Sequence, residues 1–219
     1  MEVSEKEKYL EQISTIKSLM ESNTKFLSLS GLSGVWAGSV ALVGCALTAL
    51  YMHDNFFLTN TWNTYIAESN NPLFNNPNSI ILFSIACLIL ILAVAGGFIF
   101  TLLKVNKQGE TLWNSVSKKM LVELFSILTV GGIFCLIQIK QHQFLYIIPT
   151  TLLFYGLALF HISKYTVRDI QYLSFFLIGL GLINTIFYNY GVLFWCLGFG
   201  VLHIVYGIAM YYKYDRIKE

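Results

Sequence analysis

Six long apolar stretches alternate with polar segments along the chain. A helix needs about 20 apolar residues to cross the hydrocarbon core of a bilayer, whereas membrane barrels alternate apolar and polar positions in strands of about 10 residues. These stretches are apolar on all sides and therefore predict helices. The expected fold is an all-α, six-span transmembrane helix bundle over residues 28–212, with spans at 29–52, 79–103, 120–139, 144–162, 170–187 and 191–212.

The composition also indicates a membrane protein. Of the 219 residues, 56% are hydrophobic and only 12% are charged, about half the charged fraction of an average soluble domain. These values exclude a disordered chain, a water-soluble fold and a protein that binds nucleic acid directly through a basic face. The expected surroundings are the lipid bilayer, and no sequence motif predicts a cofactor.

Lysine and arginine are distributed unevenly between the two sides of the predicted bundle. If the six spans alternate in direction, all 14 basic residues except Lys140 lie on one side. Basic residues near span ends remain in the cytoplasm, so both termini, including the tail at 213–219, are expected to be cytoplasmic. The chain has no Asn-x-Ser/Thr glycosylation site, which fits a bacterial inner membrane.

The segment before the first span, residues 1–27, predicts a cytoplasmic amphipathic helix. Its charges are mixed, with four Lys and five Glu, unlike the Lys- and Arg-rich helices that bind anionic lipid. The helix is expected either to pack under the protein's own bundle or to bind a partner, which is a soluble protein or a second copy. Its apolar stripe follows helical spacing and consists of Leu10, Ile13, Ile16, Met20 and Leu27.

Glu123 is the only carboxylate within a predicted span, and ionisable residues in spans often carry function. The turn between the third and fourth spans centres between positions 141 and 142, so His161 lies at nearly the same depth on the next helix. Glu123 and His161 are a candidate polar pair, either a structural hydrogen bond or a proton-linked gate. Loss of His161 would leave a poorly solvated carboxylate, so it is expected to destabilise the protein more than loss of Glu123.

Two further polar residues fall inside spans, His203 near the middle of the sixth and Asn184 in the outer part of the fifth. One backbone carbonyl or hydroxyl satisfies a neutral histidine. Metal or haem binding needs more ligands at matched depth, and the sequence has no HxxxH or HExxH spacing. Both residues are therefore interpreted as buried polar groups, and no metal or haem is expected.

Glycines in the spans indicate close helix packing, because small residues let neighbouring backbones approach. The mid-span glycine pairs at 96–97 and 131–132 have similar flanking residues. This similarity is also compatible with a remnant of the inverted repeat found in many transporters. The residues predicted to mediate helix packing are Gly31, Gly34, Gly38, Gly96, Gly97, Gly131 and Gly132.

Each of the four cysteines falls in the outer half of a predicted span, at Cys45, Cys87, Cys135 and Cys196. The absence of a CxxC motif from the sequence argues against a thiol oxidoreductase. Single cysteines in helices commonly behave as small apolar residues. All four are therefore interpreted as packing residues.

The stretch Gly31-Leu32-Ser33-Gly34 resembles the GxSG nucleophile motif of rhomboid proteases, which also have six spans and pair the serine with a histidine on the sixth. His203 lies on the sixth span here. In rhomboids, however, the motif belongs to the fourth span, and this sequence lacks their glutamate-containing signature on the second. Small-residue packing is the favoured interpretation of the motif.

The most distinctive pattern lies within residues 13–42, where Ile13, Ile16 and Met20 precede the stretch Lys25-Phe26-Leu27-Ser28-Leu29-Ser30-Gly31-Leu32-Ser33-Gly34-Val35. This segment resembles the start of a family of uncharacterised multi-pass inner-membrane proteins from Bacteroidota. Members of that family are often encoded beside a small winged-helix regulator. The resemblance implies a regulatory role with a cytoplasmic winged-helix partner, and it implies no activity and no functional residues.

Three functions are compatible with these observations. The favoured one is a regulatory, sensing or interaction protein whose N-terminal helix engages a cytoplasmic partner or forms a homo-oligomer. The alternative is a small oligomeric channel or transporter, suggested by the paired glycines and the few buried polar groups. An intramembrane enzyme ranks last because no catalytic motif fits. A polar cavity near the midplane would favour transport, and an apolar packed centre would favour regulation.

Overall fold

The structure, a computed structural model, describes residues 30–52, 77–108, 113–141 and 143–215, together with Tyr9 and Ile13. Within these ranges the chain is helical apart from short turns. Six helices are long and apolar enough to cross a membrane, which confirms the predicted six-span, all-α fold. The predicted N-terminal helix lies outside the described residues, except for Tyr9 and Ile13, which are both helical.

Five of the spans are single α-helices, and the sixth combines two helix types. The single helices are α1 (Gly31–Met52), α2 (Pro77–Gln108), α3 (Ser115–Lys140), α4 (Ile147–Ile162) and α5 (Arg168–Ile186). Single 3₁₀ turns at Phe144–Tyr146, Ser163–Tyr165 and Tyr188–Tyr190 precede α4, α5 and the sixth span. The sixth span, α6, joins α-helical Gly191–Trp195, π-helical Cys196–Leu202, α-helical His203–Met210 and π-helical Tyr211–Asp215.

Helices α2 and α3 extend further than the apolar stretches that predict them. The α2 helix continues past residue 103 to Gln108. The α3 helix begins at Ser115 because Asn114 and Ser117 form a capping box, in which the Asn114 side chain accepts the Ser117 amide hydrogen over 2.7 Å. Hydropathy locates only the apolar part of a span, whereas caps and turns determine where the helix ends.

The packing order places α2 and α3 at the periphery of the bundle. The α1 helix packs against α2 and α6, and the α4 helix packs against α3 and α5. The α6 helix joins the two groups by packing also against α5. Where α4, α5 and α6 meet, Leu152 and Leu177 are fully buried, and both lie against Gly198. Apolar side chains therefore fill the place where these three helices meet.

The backbones of α1 and α6 approach so closely that they touch along a row of glycines. A Cβ placed on Gly207 would lie 2.5 Å from the Val35 amide nitrogen and 2.8 Å from the Gly31 carbonyl oxygen. A Cβ on Gly38 would lie 2.6 Å from the Gly200 carbonyl oxygen. We call this contact the glycine seam, and its members are Gly31, Gly34 and Gly38 of α1 with Gly200 and Gly207 of α6.

A disulfide between Cys45 of α1 and Cys196 of α6 joins the two helices at one end of the glycine seam. Their Cα atoms are 6.5 Å apart, within the usual range for a disulfide. The interpretation of these two cysteines as apolar packing residues is therefore corrected. Cys87 and Cys135 are free thiols, and both are partly exposed.

Helices α2 and α3 each contain a pair of adjacent glycines, and in each pair only the first glycine packs against a side chain of a neighbouring helix. Gly96 lies under the indole of Trp36, whose Nε1 donates a hydrogen bond of 2.9 Å to the Leu92 carbonyl oxygen. Gly131 lies under the ring of Phe154 in the same way.

Gly97 and Gly132 differ from the expectation that every mid-span glycine mediates packing. A Cβ on either one would meet nothing within 4 Å among the described residues. The reason is helical geometry, because adjacent residues point about 100° apart around a helix. When Gly96 and Gly131 face a neighbouring helix, the glycines that follow them face outwards.

Candidate functional site

The charged side chains of the described residues concentrate at one end of the bundle, which we call the charged end. It is the end opposite the Cys45–Cys196 disulfide, and each of its three carboxylates is paired with a lysine. The pairs are Glu123 with Lys164 at 3.0 Å, Asp169 with Lys213 at 3.1 Å, and Asp215 with Lys104 at 2.7 Å. These ion pairs connect helices that are separate in sequence.

Glu123 is the centre of a four-residue cluster at the charged end. Its Oε2 lies 3.1 Å from Nε2 of His161 and 3.0 Å from Nζ of Lys164. Its Oε1 accepts a hydrogen bond of 2.7 Å from the Tyr165 hydroxyl. The structure thus brings Glu123 and His161 together as the hairpin arithmetic predicts, and it adds two partners that the arithmetic did not identify.

The additional partners come from the turn that ends the fourth span. Lys164 and Tyr165 belong to the 3₁₀ turn Ser163–Tyr165, three and four residues after His161. This spacing returns them to the same side as His161. The cluster therefore joins α3 to the connection between α4 and α5. The carboxylate has one hydrogen-bond donor on Oε1 and two nitrogen partners at ion-pair distance from Oε2, and this fixed position favours the structural role over a gate.

Because Glu123 has three partners, we expect loss of Glu123 to destabilise the protein more than loss of His161. This is the reverse of the order expected from the sequence. In the His161→Leu protein, Lys164 and Tyr165 still satisfy the carboxylate. In the Glu123→Leu protein, all three partners lose their shared acceptor. We expect Glu123→Leu to lower the thermal midpoint in detergent more than His161→Leu.

A double-mutant cycle measures this coupling, since contacting residues do not contribute additively. The Glu123→Leu/His161→Leu protein is expected to lose less stability than the sum of the two single changes. Strict additivity, or a larger effect of His161→Leu alone, would contradict the cluster.

Asp215 forms a second polar contact by capping the first residues of α1. Its Oδ2 accepts the amide hydrogen of Gly31 over 2.9 Å and lies 3.4 Å from the Ser30 hydroxyl. A carboxylate at a helix N-terminus satisfies free amide groups and complements the helix dipole. With Lys104 on its other oxygen, Asp215 joins α1, α2 and α6 at the first residue of α1.

His203 is buried and bonded at both ring nitrogens. Its Nδ1 lies 2.8 Å from the Gly198 carbonyl oxygen, and its Nε2 lies 3.1 Å from the Tyr155 hydroxyl. The carbonyl can only accept, so we assign the proton to Nδ1, and Nε2 of the neutral ring then accepts from Tyr155. The carbonyl lies in the π-helical segment of α6, and such segments occur frequently at functional sites.

Asn184 and Ser33 also form local hydrogen bonds. Nδ2 of the fully buried Asn184 donates to the Phe187 carbonyl oxygen over 3.1 Å, which closes the end of α5. The Ser33 hydroxyl donates to the Ser30 carbonyl oxygen over 2.5 Å. Ser33 and His203 are therefore bonded to other groups, and the structure does not form the dyad that the GxSG motif suggests.

Comparison of the chain with protein families, curated proteins and solved structures finds no match. Within the part of the chain that the structure describes, no three His, Cys, Asp or Glu side chains group so as to hold a metal ion. The distinctive features are the three-helix contact at Asp215, the Glu123 cluster and the buried His203 network.

Proposed function

We propose that the protein is a membrane-embedded regulatory or interaction protein whose N-terminal amphipathic helix binds a soluble cytoplasmic partner. The observation that carries the proposal is the exposure of Ile13, a member of the apolar stripe. Its exposed fraction is 61%, and that of Tyr9, one helical turn earlier, is 62%. Burial against the protein's own bundle would leave Ile13 covered, so the exposure of Ile13 supports its availability for a partner.

The proposed orientation places the charged end in the cytoplasm of a bacterial inner membrane. The excess of Lys and Arg at this end supports it, because basic residues near span ends remain cytoplasmic. The Cys45–Cys196 disulfide at the other end supports it independently, since disulfides persist on the oxidising, periplasmic side of such a membrane. In this orientation Asp215 holds the start of α1 on the cytoplasmic side.

The resemblance of residues 13–42 to the Bacteroidota family supplies a candidate for the partner, a winged-helix regulator. Asp215 offers a route by which binding could influence the bundle. Its carboxylate contacts Ser30 and Gly31 at the start of α1, and it also holds Lys104 of α2. Tension on the N-terminal segment would therefore act on a contact shared by three helices.

An oligomeric channel or transporter is the second candidate. The open faces at Gly97 and Gly132 favour it, because small residues on exposed helix faces allow a second copy to approach closely. The packing of Leu152 and Leu177 where α4, α5 and α6 meet supports a pore between copies rather than within one. A channel of this kind requires several copies and no soluble partner.

Partner capture tests the proposal with a matched pair of variants. Full-length tagged protein is purified from its native host in mild detergent as wild type, Ile13→Asp and Thr15→Asp. In the predicted helix, position 15 lies two residues after Ile13 and therefore on nearly the opposite face. We expect one soluble protein to accompany wild type and Thr15→Asp, and its yield to fall about tenfold or more with Ile13→Asp, because an unpaired charge in an apolar contact costs more than ~1.4 kcal/mol.

The same samples distinguish the two candidate functions. If Ile13→Asp retained the partner, the apolar stripe would not be its binding surface. If wild type carried no soluble protein and had the mass of several copies, the oligomeric channel would replace the regulatory function.

A further inference from the structure

Among the described residues, the charged end carries more positive charge than its carboxylates neutralise. Glu123, Asp169 and Asp215 are each paired with one lysine. Three other cations of the described chain, Lys118, Lys119 and Arg168, form no ion pair with any described carboxylate, and all three are exposed. This end therefore attracts an anionic ligand.

Two lysines of this end, Lys119 and the Glu123-paired Lys164, lie around the ring of Tyr165. Nζ of Lys164 lies 4.9 Å from the ring centroid, and Nζ of Lys119 lies 5.8 Å from it. The Tyr165 hydroxyl is fixed on Glu123, so the ring is a common contact for two ammonium groups, one on α3 and one on the turn Ser163–Tyr165. Arg168 follows three residues later at the start of α5. We call Lys119, Lys164, Tyr165 and Arg168 the basic surface.

The surface next to these cations is apolar and faces outwards. Val122, three residues after Lys119 and hence on the same face of α3, has an exposed fraction of 66%, and Phe125 has one of 58%. Phe160 on the neighbouring α4 is also exposed. A molecule with its phosphate at the basic surface could therefore lay an apolar chain along α3 and α4.

We propose that the basic surface binds the headgroup phosphate of an anionic phospholipid. A soluble acidic peptide would match the charge but not the apolar face below it, whereas a phospholipid matches both. The excess of positive charge selects a headgroup with net negative charge, because the ammonium of a choline headgroup would meet Lys119 and Arg168. The site is separate from the partner-binding helix, and the proposal does not depend on the proposed function.

The test compares two lipids with the same acyl chains on the full-length protein in mild detergent. Thermal unfolding is followed with dioleoyl phosphatidylglycerol or dioleoyl phosphatidylcholine at equal mole fraction. A ligand that binds only the folded state raises the midpoint by mass action. We expect phosphatidylglycerol to raise the midpoint by several degrees more than phosphatidylcholine, and high salt to reduce the difference because it screens exposed charges.

Variants locate the effect on the protein. Lys119→Gln/Arg168→Gln is expected to lose most of the difference between the two lipids, and native mass spectrometry should show fewer retained phosphatidylglycerol molecules. Lys140→Gln, an exposed lysine at the opposite end of α3, is the matched control and should behave as wild type. Equal effects of the two lipids, an unchanged difference in the double variant, or the same midpoint shift with soluble polyglutamate would each overturn the proposal.

Discussion

Gly207→Leu is expected to prevent the bundle from assembling. The position has no room for a side chain, since even a Cβ would approach the Val35 amide nitrogen and the Gly31 carbonyl oxygen. These neighbours are backbone atoms, which cannot relieve the clash by changing rotamer as a side chain can. The whole of α1 would have to move away from α6, which costs more than the roughly 1–3 kcal/mol typical of an overpacked core. The measurement is the yield of monodisperse protein in detergent, together with its thermal midpoint.

Gly97→Leu provides the matched control for this change. The substitution is the same and the residue also lies within a span, but a Cβ there would meet nothing within 4 Å among the described residues. We expect this variant to purify with a midpoint close to that of wild type. If both variants behaved alike, the close approach of α1 and α6 at the glycine seam would be incorrect.

Cys45→Ser is expected to produce the second large loss of stability. The disulfide joins residues separated by 151 positions, and it holds together the two helices that contact through the glycine seam. Removal of a native disulfide typically costs about 2–5 kcal/mol. The thermal midpoint of Cys45→Ser should fall clearly, and Cys196→Ser should give the same result because it removes the same bond.

The free cysteines supply controls for the disulfide prediction. Cys87→Ser and Cys135→Ser make the same chemical change in α2 and α3, and both should retain most of the wild-type stability. A reducing agent should lower the midpoint of wild type and of these two controls, but not that of Cys45→Ser. An unchanged midpoint of wild type after complete reduction would contradict a stabilising disulfide.

The sequence is sufficient to predict the six spans and one tertiary contact. Membrane helices must satisfy their backbone hydrogen bonds internally, so hydropathy alone locates them. The contact of Glu123 with His161 follows from the same regularity, because two antiparallel helices joined by a short turn have matching depths. Lys164 and Tyr165 could have been found from their spacing after His161.

Other contacts depend on how each helix is rotated about its axis and on which neighbour it packs against. The sequence of an apolar span does not determine either of these. Nearly every face of a span is hydrophobic, so periodicity does not identify the face that packs. The sequence pattern therefore could not separate Gly96 from Gly97, and it did not identify Gly207 as the partner of the glycines in α1. The π-helical segment of α6 and the pairing of Cys45 with Cys196 follow from the same packing. The placement of the cysteines in outer halves of spans was the available signal for the disulfide.

The most direct test of the central claim is thiol labelling of the two sides of the membrane. The claim is that six spans place the charged end and the N-terminal helix in the cytoplasm. A background with Cys87→Ser and Cys135→Ser keeps the disulfide and leaves no free described thiol, and Asn70→Cys or Lys107→Cys is then added. A membrane-impermeant maleimide is applied to intact spheroplasts. We predict that the Asn70→Cys protein is labelled before lysis and that the Lys107→Cys protein is labelled only after lysis. Labelling of Lys107→Cys from outside, with Asn70→Cys protected, would contradict the account.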